Sequence, residues 1–299
     1  MDFLRSARNP WGEDVLVGLG WDLFWVVVFL GALFILGHAI LARRQKDAGE
    51  APPSIDPEQA RDIPEKVTRH NGSARISHWV LAISTLTLLA TGFVPILGLQ
   101  FPWVTIHWIA GIVLTGYLVY HTVDTIRRGT LGTMWLGRED LEKGMKQLKG
   151  FFRKEETDHP KPGKWGPENI TFHHITALAG IAVIATGLLM MFRVDTWFWQ
   201  ANPYVLGVSD RLWGWVYVLH GLAAVGFVGL LMAHIYFAVR PDKWWISRSM
   251  FKGWITREEY LAHHDPELWP VGEEAAADRR RPAPTPEPAP APTSDAAGD

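Results

Sequence analysis

Histidine is the residue through which this chain can do metal chemistry, because it carries 12 histidines and no cysteine. The missing thiols exclude disulfides, cysteine-ligated zinc, iron–sulfur clusters, thiol catalysis and thioether-attached haem. His220 and His234 are 14 positions apart. On a helix that is about 21 Å of rise and about 1400° of rotation, within roughly 40° of one face. Two imidazoles at two heights on one face suit two stacked haems, each ligated by a neutral ring nitrogen. A second imidazole is then needed at each height.

The elements that must hold such residues are apolar spans. Five long stretches run roughly from Val15 to Leu41, Ile76 to Gly98, Trp103 to Val123, Ile170 to Phe192 and Trp213 to Val239, and the only charge in them is Asp22. Each is long enough to cross a hydrocarbon layer of ~30 Å as a helix, and a helix satisfies its own backbone polar groups in lipid. Buried helices of a soluble protein rarely come five to a chain without a polar face. The 48% apolar and 20% charged fractions would suit a soluble enzyme, but segregation of the charges overrides the average. A net charge of −2 offers no basic excess for nucleic acid. An uncleaved first helix fits better than a signal peptide, since the basic cluster Arg43, Arg44, Lys46 follows it.

Basic residues orient the spans. With the N-terminus outside, only Arg5, Arg8, Arg193 and Arg211 of the 29 Lys and Arg fall on the outer side, leaving 25 inside. The expected arrangement is a multi-pass protein of the bacterial cytoplasmic (inner) membrane, N-terminus outside and C-terminus cytoplasmic. Trp11, Trp21, Trp103, Trp197, Trp213 and Trp244 sit near span ends, as interface anchors do. In the internal loop, Leu141, Met145, Leu148 and Phe152 recur at helical spacing and suggest a helix on the inner surface. Residues 244–269 suggest another, and from about Ala275 the tail is Ala/Pro-rich.

Depth now pairs the histidines. His107, near the outer start of the third span, is level with His220; His78, at the inner start of the second, is level with His234. His121 is 14 positions after His107 and is level with His234 too, so depth alone does not choose between His78 and His121. A proton relay or interhelical hydrogen bonds are the competing uses of intramembrane histidine. Gly92, Gly111, Gly116, Gly180, Gly187, Gly221, Gly226 and Gly229 leave room for a flat macrocycle, or for close helix packing.

The run Arg75-Ile-Ser-His78-Trp79, then Thr91-Gly92, His107-Trp-Ile-Ala-Gly111, Leu219-His220-Gly221 and Ala233-His234-Ile235-Tyr236 resembles the cytochrome b (gamma) subunit of respiratory formate dehydrogenases. More broadly it is similar to the di-haem membrane cytochromes of nickel–iron hydrogenases and thiosulfate reductases. The resemblance covers roughly residues 69–269, including Gly253, Tyr260, His263-His264 and Pro266. It implies a four-helix transmembrane di-haem bundle, here with one additional N-terminal transmembrane helix. Two non-covalent b-type haems would be held by His78, His107, His220 and His234, which favours His78 over His121. Electrons would come from an outer iron–sulfur subunit and a molybdenum or tungsten catalytic subunit, and would leave to quinone on the inner side.

Composition and the resemblance together divide the chain into residues 1–47 (N-terminal helix and flanks), 48–68 (cytoplasmic linker), 69–269 (cytochrome b domain with surface segments) and 270–299 (disordered tail). In that family the inner start of the third bundle helix commonly reads Asn-x-Gly-Gln-Lys. Here it reads Gly166-Pro-Glu-Asn-Ile170, so Glu168, Asn169 and His173 stand as quinone-binding candidates, against a plain helix start capped by Asn169. Arg75, Arg193 and Arg211 are candidates for haem propionates, or simple topology charges. The rivals are the same module serving a hydrogenase or sulfur-compound oxidoreductase, and a haem-free transporter or anchor. The extra helix, with Asp22 and His38, either replaces an anchor supplied by a partner or packs peripherally.

Overall fold

The computed structural model describes residues 3–10, 12–46, 61–135, 137, 142, 145, 161–202 and 204–271. Two short strands come first. β1 (Leu4–Arg8) and β2 (Asp14–Leu19) pair antiparallel, with an irregular step between Arg5 and Ser6. Asn9 closes their turn by accepting from the Glu13 backbone N–H at 2.8 Å. Helix α1 (Trp21–Lys46) follows at once. The apolar run expected to be helical from Val15 therefore begins as a strand. Val15 and Val17 are β-branched, and Gly18, at φ 151°, breaks the run before Trp21.

Four more long helices follow: α2 (Gly72–Phe93), α3 (Trp103–Arg127), α4 (Pro167–Met191) and α5 (Asp210–Val239). Their ends are set locally. Asn71 caps α2 by accepting from the Ala74 N–H at 2.8 Å. Pro167 opens α4, where a missing N–H leaves nothing unpaired, and Pro241 stops α5. All five helices are long and apolar enough to cross a membrane. The chain is an all-α integral membrane protein with a small β content at its edges. Large apolar side chains such as Phe29 and Leu178 face outward, as they do toward lipid.

Helix α2 packs on α3, and α4 on α5, while the two pairs meet only sparsely and leave an interior gap. Strand β2 and helix α1 lie against α5. Glycine lets them approach. A Cβ at Gly214 would stand 2.6 Å from the Leu16 carbonyl oxygen, one at Gly221 3.2 Å from Leu19, and one at Gly229 3.3 Å from Val27. Of the two uses open to Gly229, a macrocycle or close helix packing, the second is the one seen. His38 Nδ1 lies 2.8 Å from the Tyr236 hydroxyl and ties α1 to α5.

Beyond the inner helix ends sits a small cap. β3 (Lys66–Thr68) pairs antiparallel with β4 (Trp254–Thr256), flanked by α6 (Trp244–Lys252) and α7 (Arg257–His263). Thr256 and Glu259 form a capping box at the start of α7. Ile63, Val67, Ile255, Tyr260 and Leu261 form the cap's hydrophobic core. Residues 61–68, read from sequence as the end of a linker, are therefore built into a folded unit with the C-terminal segment. The rest of that linker, Leu141, Leu148 and Phe152 of the expected surface helix, and the tail beyond Val271 lie outside the described residues.

Candidate functional site

The interior gap brings four histidines together in two pairs. His107 on α3 and His220 on α5 have ring centroids 6.2 Å apart with planes at 66°. His78 on α2 and His234 on α5 are 6.1 Å apart with planes at 45°. Phe172 stacks on His234 at 5.4 Å. His121 forms no ring contact with His234 among the described residues. Depth left His78 and His121 open; the geometry gives His78 to His234.

The spacing within each pair can be tested against a metal. An imidazole nitrogen lies about 2 Å from a bound transition metal. It lies about 1.1 Å from its own ring centre, from ring bonds of about 1.33 Å. Two imidazoles on opposite sides of one iron therefore have centroids about 6.3 Å apart. The observed 6.1 and 6.2 Å fit that span and are too long for a direct ring–ring hydrogen bond. Among the described residues no group of three or more His, Asp or Glu converges as a protein-only metal site would require. A flat macrocycle supplying the remaining ligands fits what is present.

Around the outer pair lies a cavity of about 460 Å³, lined by His107, His220, Gly92 and Gly187, with Trp21 and Phe24 of α1 closing one side. Cofactor pockets run from ~300 to ~1,000 Å³. Gly187 is needed here, since its Cβ would stand 3.3 Å from His220 Cε1. Two threonines complete the arrangement: Thr91, which the sequence offered only as part of a motif, and Thr186, which it did not single out. Thr91 Oγ1 lies 2.8 Å from His107 Nδ1, and Thr186 Oγ1 2.9 Å from His220 Nδ1. The signal that could have found them is a repeated tripeptide, Ala90-Thr91-Gly92 and Ala185-Thr186-Gly187.

Residues 69–253, more than half of the chain, match the family described as prokaryotic cytochrome b561. The chain belongs to that family. Membership implies b-type haem, and the protein is a membrane cytochrome with an electron-transfer role. A comparison with curated proteins returned no match. The matched region begins at Arg69 and ends at Gly253, so β2 and α1 lie outside it although they line the outer cavity.

The inner face of this cytochrome holds a second, polar cavity of about 380 Å³ between the cap and the start of α4. Arg69, Lys161, Lys243, Glu168, Asn169 and His263 line it. Two of the three quinone candidates are thus together. His173 is not among the lining residues; its ring neighbour is His174, at 5.8 Å. Arg69 escaped the sequence reading. It is only 2% exposed, and its guanidinium lies 2.8 Å from His264 Nε2. Trp165 and Trp245 each lie 5.3 Å from it, a cation–π cage. Burial lowers the Arg69 pKa to about 10. Burial, with the Arg69 charge beside them, pushes His70 down to about 3 and His264 down to about 4.

The propionate candidates are placed differently from one another. Arg75 donates to the Phe251 carbonyl, fastening α2 to the cap. Arg193 donates to Tyr217 at 3.0 Å, pairs with Asp210 at 3.6 Å and stacks on Trp213 at 4.7 Å. Arg211 is exposed in the first turn of α5.

Proposed function

We propose that this chain is the membrane cytochrome b subunit of a respiratory complex of the formate dehydrogenase type, relaying electrons from an outer partner to the quinone pool. The observation that carries the reading is the two histidine pairs, each spaced for one iron, at two heights of one membrane bundle. His107 and His220 would hold the outer of two b-type haems, and His78 and His234 the inner. When bound, each haem supplies a one-electron couple in a water-poor interior. The chain's own part is to hold neutral imidazoles at fixed height and to exclude water with the aromatic and aliphatic lining of the bundle. Along α5 the two ligand levels are about 21 Å apart.

The chain has no cysteine and so holds no iron–sulfur cluster of its own; in this reading electrons reach it from a partner that owns such clusters. That partner, with a molybdenum or tungsten catalytic subunit, would sit on the outer face. The quinone head group would enter at the inner polar cavity, where Glu168 and Asn169 lie at the first turn of α4. Their side chains offer an acceptor and a donor to a quinone carbonyl and its proton, with His173 about a turn further along. The 25-to-4 division of basic residues supports inner-membrane insertion with the C-terminus in the cytoplasm.

Reduced-minus-oxidised spectroscopy with a haem assay tests the reading. Two b-type haems per chain are expected, and well-folded, haem-supplied protein without a b-type alpha band would sink it. Co-purification with a molybdenum or tungsten protein, against a nickel–iron protein, separates formate oxidation from the hydrogenase alternative. Glu168→Gln or Asn169→Ala should slow quinone reduction while both haems remain; unchanged turnover would remove them from the site.

A further inference from the structure

The bundle carries an internal repeat that the histidine pairs alone do not reveal. His78 and Thr91 are 13 positions apart, as are His173 and Thr186. His107 and His121 are 14 apart, as are His220 and His234. The hairpin α2–α3 thus repeats in α4–α5, and His107 and His220 are equivalent residues meeting at the centre. Each faces the threonine of its own repeat, at 2.8 and 2.9 Å. The inner histidines do not share this symmetry. His78 and His234 meet, whereas their equivalents His173 and His121 form no ring contact among the described residues. His78 Nδ1 is buried without a hydrogen-bond partner.

Each threonine hydroxyl has one proton, and the helix already takes it. Thr91 Oγ1 donates to the Thr87 carbonyl at 2.7 Å, and Thr186 Oγ1 to the Ala182 carbonyl at 2.6 Å. What each oxygen offers the imidazole is therefore a lone pair, and the histidine must donate from Nδ1. That leaves Nε2 of both rings unprotonated and free to ligate. Thr91 and Thr186 are 3% and 8% exposed, so water does not compete for these bonds.

We propose that Thr91 and Thr186 are positioning residues for the outer haem: they set the tautomer and plane of His107 and His220 and make both imidazoles stronger donors to iron. A hydrogen bond from the second ring nitrogen raises ligand basicity, and stronger donation favours ferric iron. The two threonines thus lower the outer potential, and the inner site is not governed by them. This inference rests on the di-haem reading above.

The test is a redox titration with electron paramagnetic resonance on the full chain in detergent, comparing wild type with Thr91→Val, Thr186→Val and the two Thr→Ser variants. Wild type showing no b-type haem, or one, would defeat the di-haem reading and the inference with it, whereas two haems whose potentials ignore the threonines would defeat the inference alone. With two haems present, each valine variant is expected to raise one midpoint potential and leave the other unmoved. The low-spin ferric signal of the same haem should shift, because it depends on the angle between the imidazole planes. Serine, which keeps the hydroxyl, should restore both readouts. Loss of one haem in valine variants, with retention in serine variants, also supports the inference. Potentials and spectra unmoved by valine, or serine behaving like valine, would overturn it.

Discussion

Each outer imidazole is held by a threonine at Nδ1 and turns its other side to the interior gap. The ring cannot turn without breaking a buried bond. Side-chain identity at these few positions therefore governs the site more than the surrounding helices do. His78→Ala should lose one haem and His121→Ala should keep both, read as haem per chain; the reverse result would return the inner level to the pair His121–His234. Gly187→Ala places a methyl 3.3 Å from His220 Cε1, so, with the two haems proposed, the spectrum of the one at His107–His220 should change while the other stays. Arg69 works at a different place. Replacing it by Met removes the partner of His264 Nε2 inside the cap. Leaving that buried group unpaired costs about 1–3 kcal/mol, and tryptophan fluorescence during thermal unfolding should show the loss through Trp165 and Trp245.

At the scale of elements, the five spans were legible because composition decides them. Roughly twenty uncharged apolar residues have one good conformation in lipid. The hairpin ahead of α1 was not legible, since Val15–Leu19 is short enough to be strand or helix and only its place against α5 decides. Nor was the cap, whose β3 and β4 flank the matched region on its two sides and lie far apart in the chain. The contacts along α5 make the N-terminal elements part of the bundle wall. Gly214→Val would drive its side chain into the Leu16 backbone, where a Cβ alone would stand 2.6 Å from the carbonyl oxygen. Overpacking of this kind costs about 1–3 kcal/mol. The hairpin should lift, measured as faster proteolysis near Gly12 and a broadened outer-haem band; a hairpin as resistant as wild type would place β2 elsewhere.

For the whole molecule, two environments impose two kinds of stability. The spans bury little of their own surface and rely on lipid and on what fills the interior gap. The cap is a small water-facing unit with its own core, and it contains histidines held neutral. Above about pH 6.5, the unperturbed histidine value, His70 and His264 are uncharged whether the cap is folded or not. Between there and their folded values of about 3 and about 4, the unfolded cap takes up protons that the folded one refuses. Cap stability should therefore fall as pH falls through that window and be flat above it. Fluorescence-detected unfolding from pH 8 to pH 4 measures this. On the proposed orientation a C-terminal reporter should read cytoplasmic; a reporter on the opposite side would reverse it.

The order and spacing of histidines, the apolar spans and the missing cysteine settle what kind of chemistry is open to this chain, because each follows from residue type and helical rise alone. They place His107 with His220 and leave His234 with two claimants. Only the packing of α2 against α3 and of α4 against α5 picks His78, since azimuth around a helix axis is set by neighbours and not by depth. Packing also turns Thr91 and Thr186 toward the outer rings, and gathers Arg69 and Glu168 at one inner cavity from segments about a hundred residues apart. Those are long-range contacts, which local spacing does not specify.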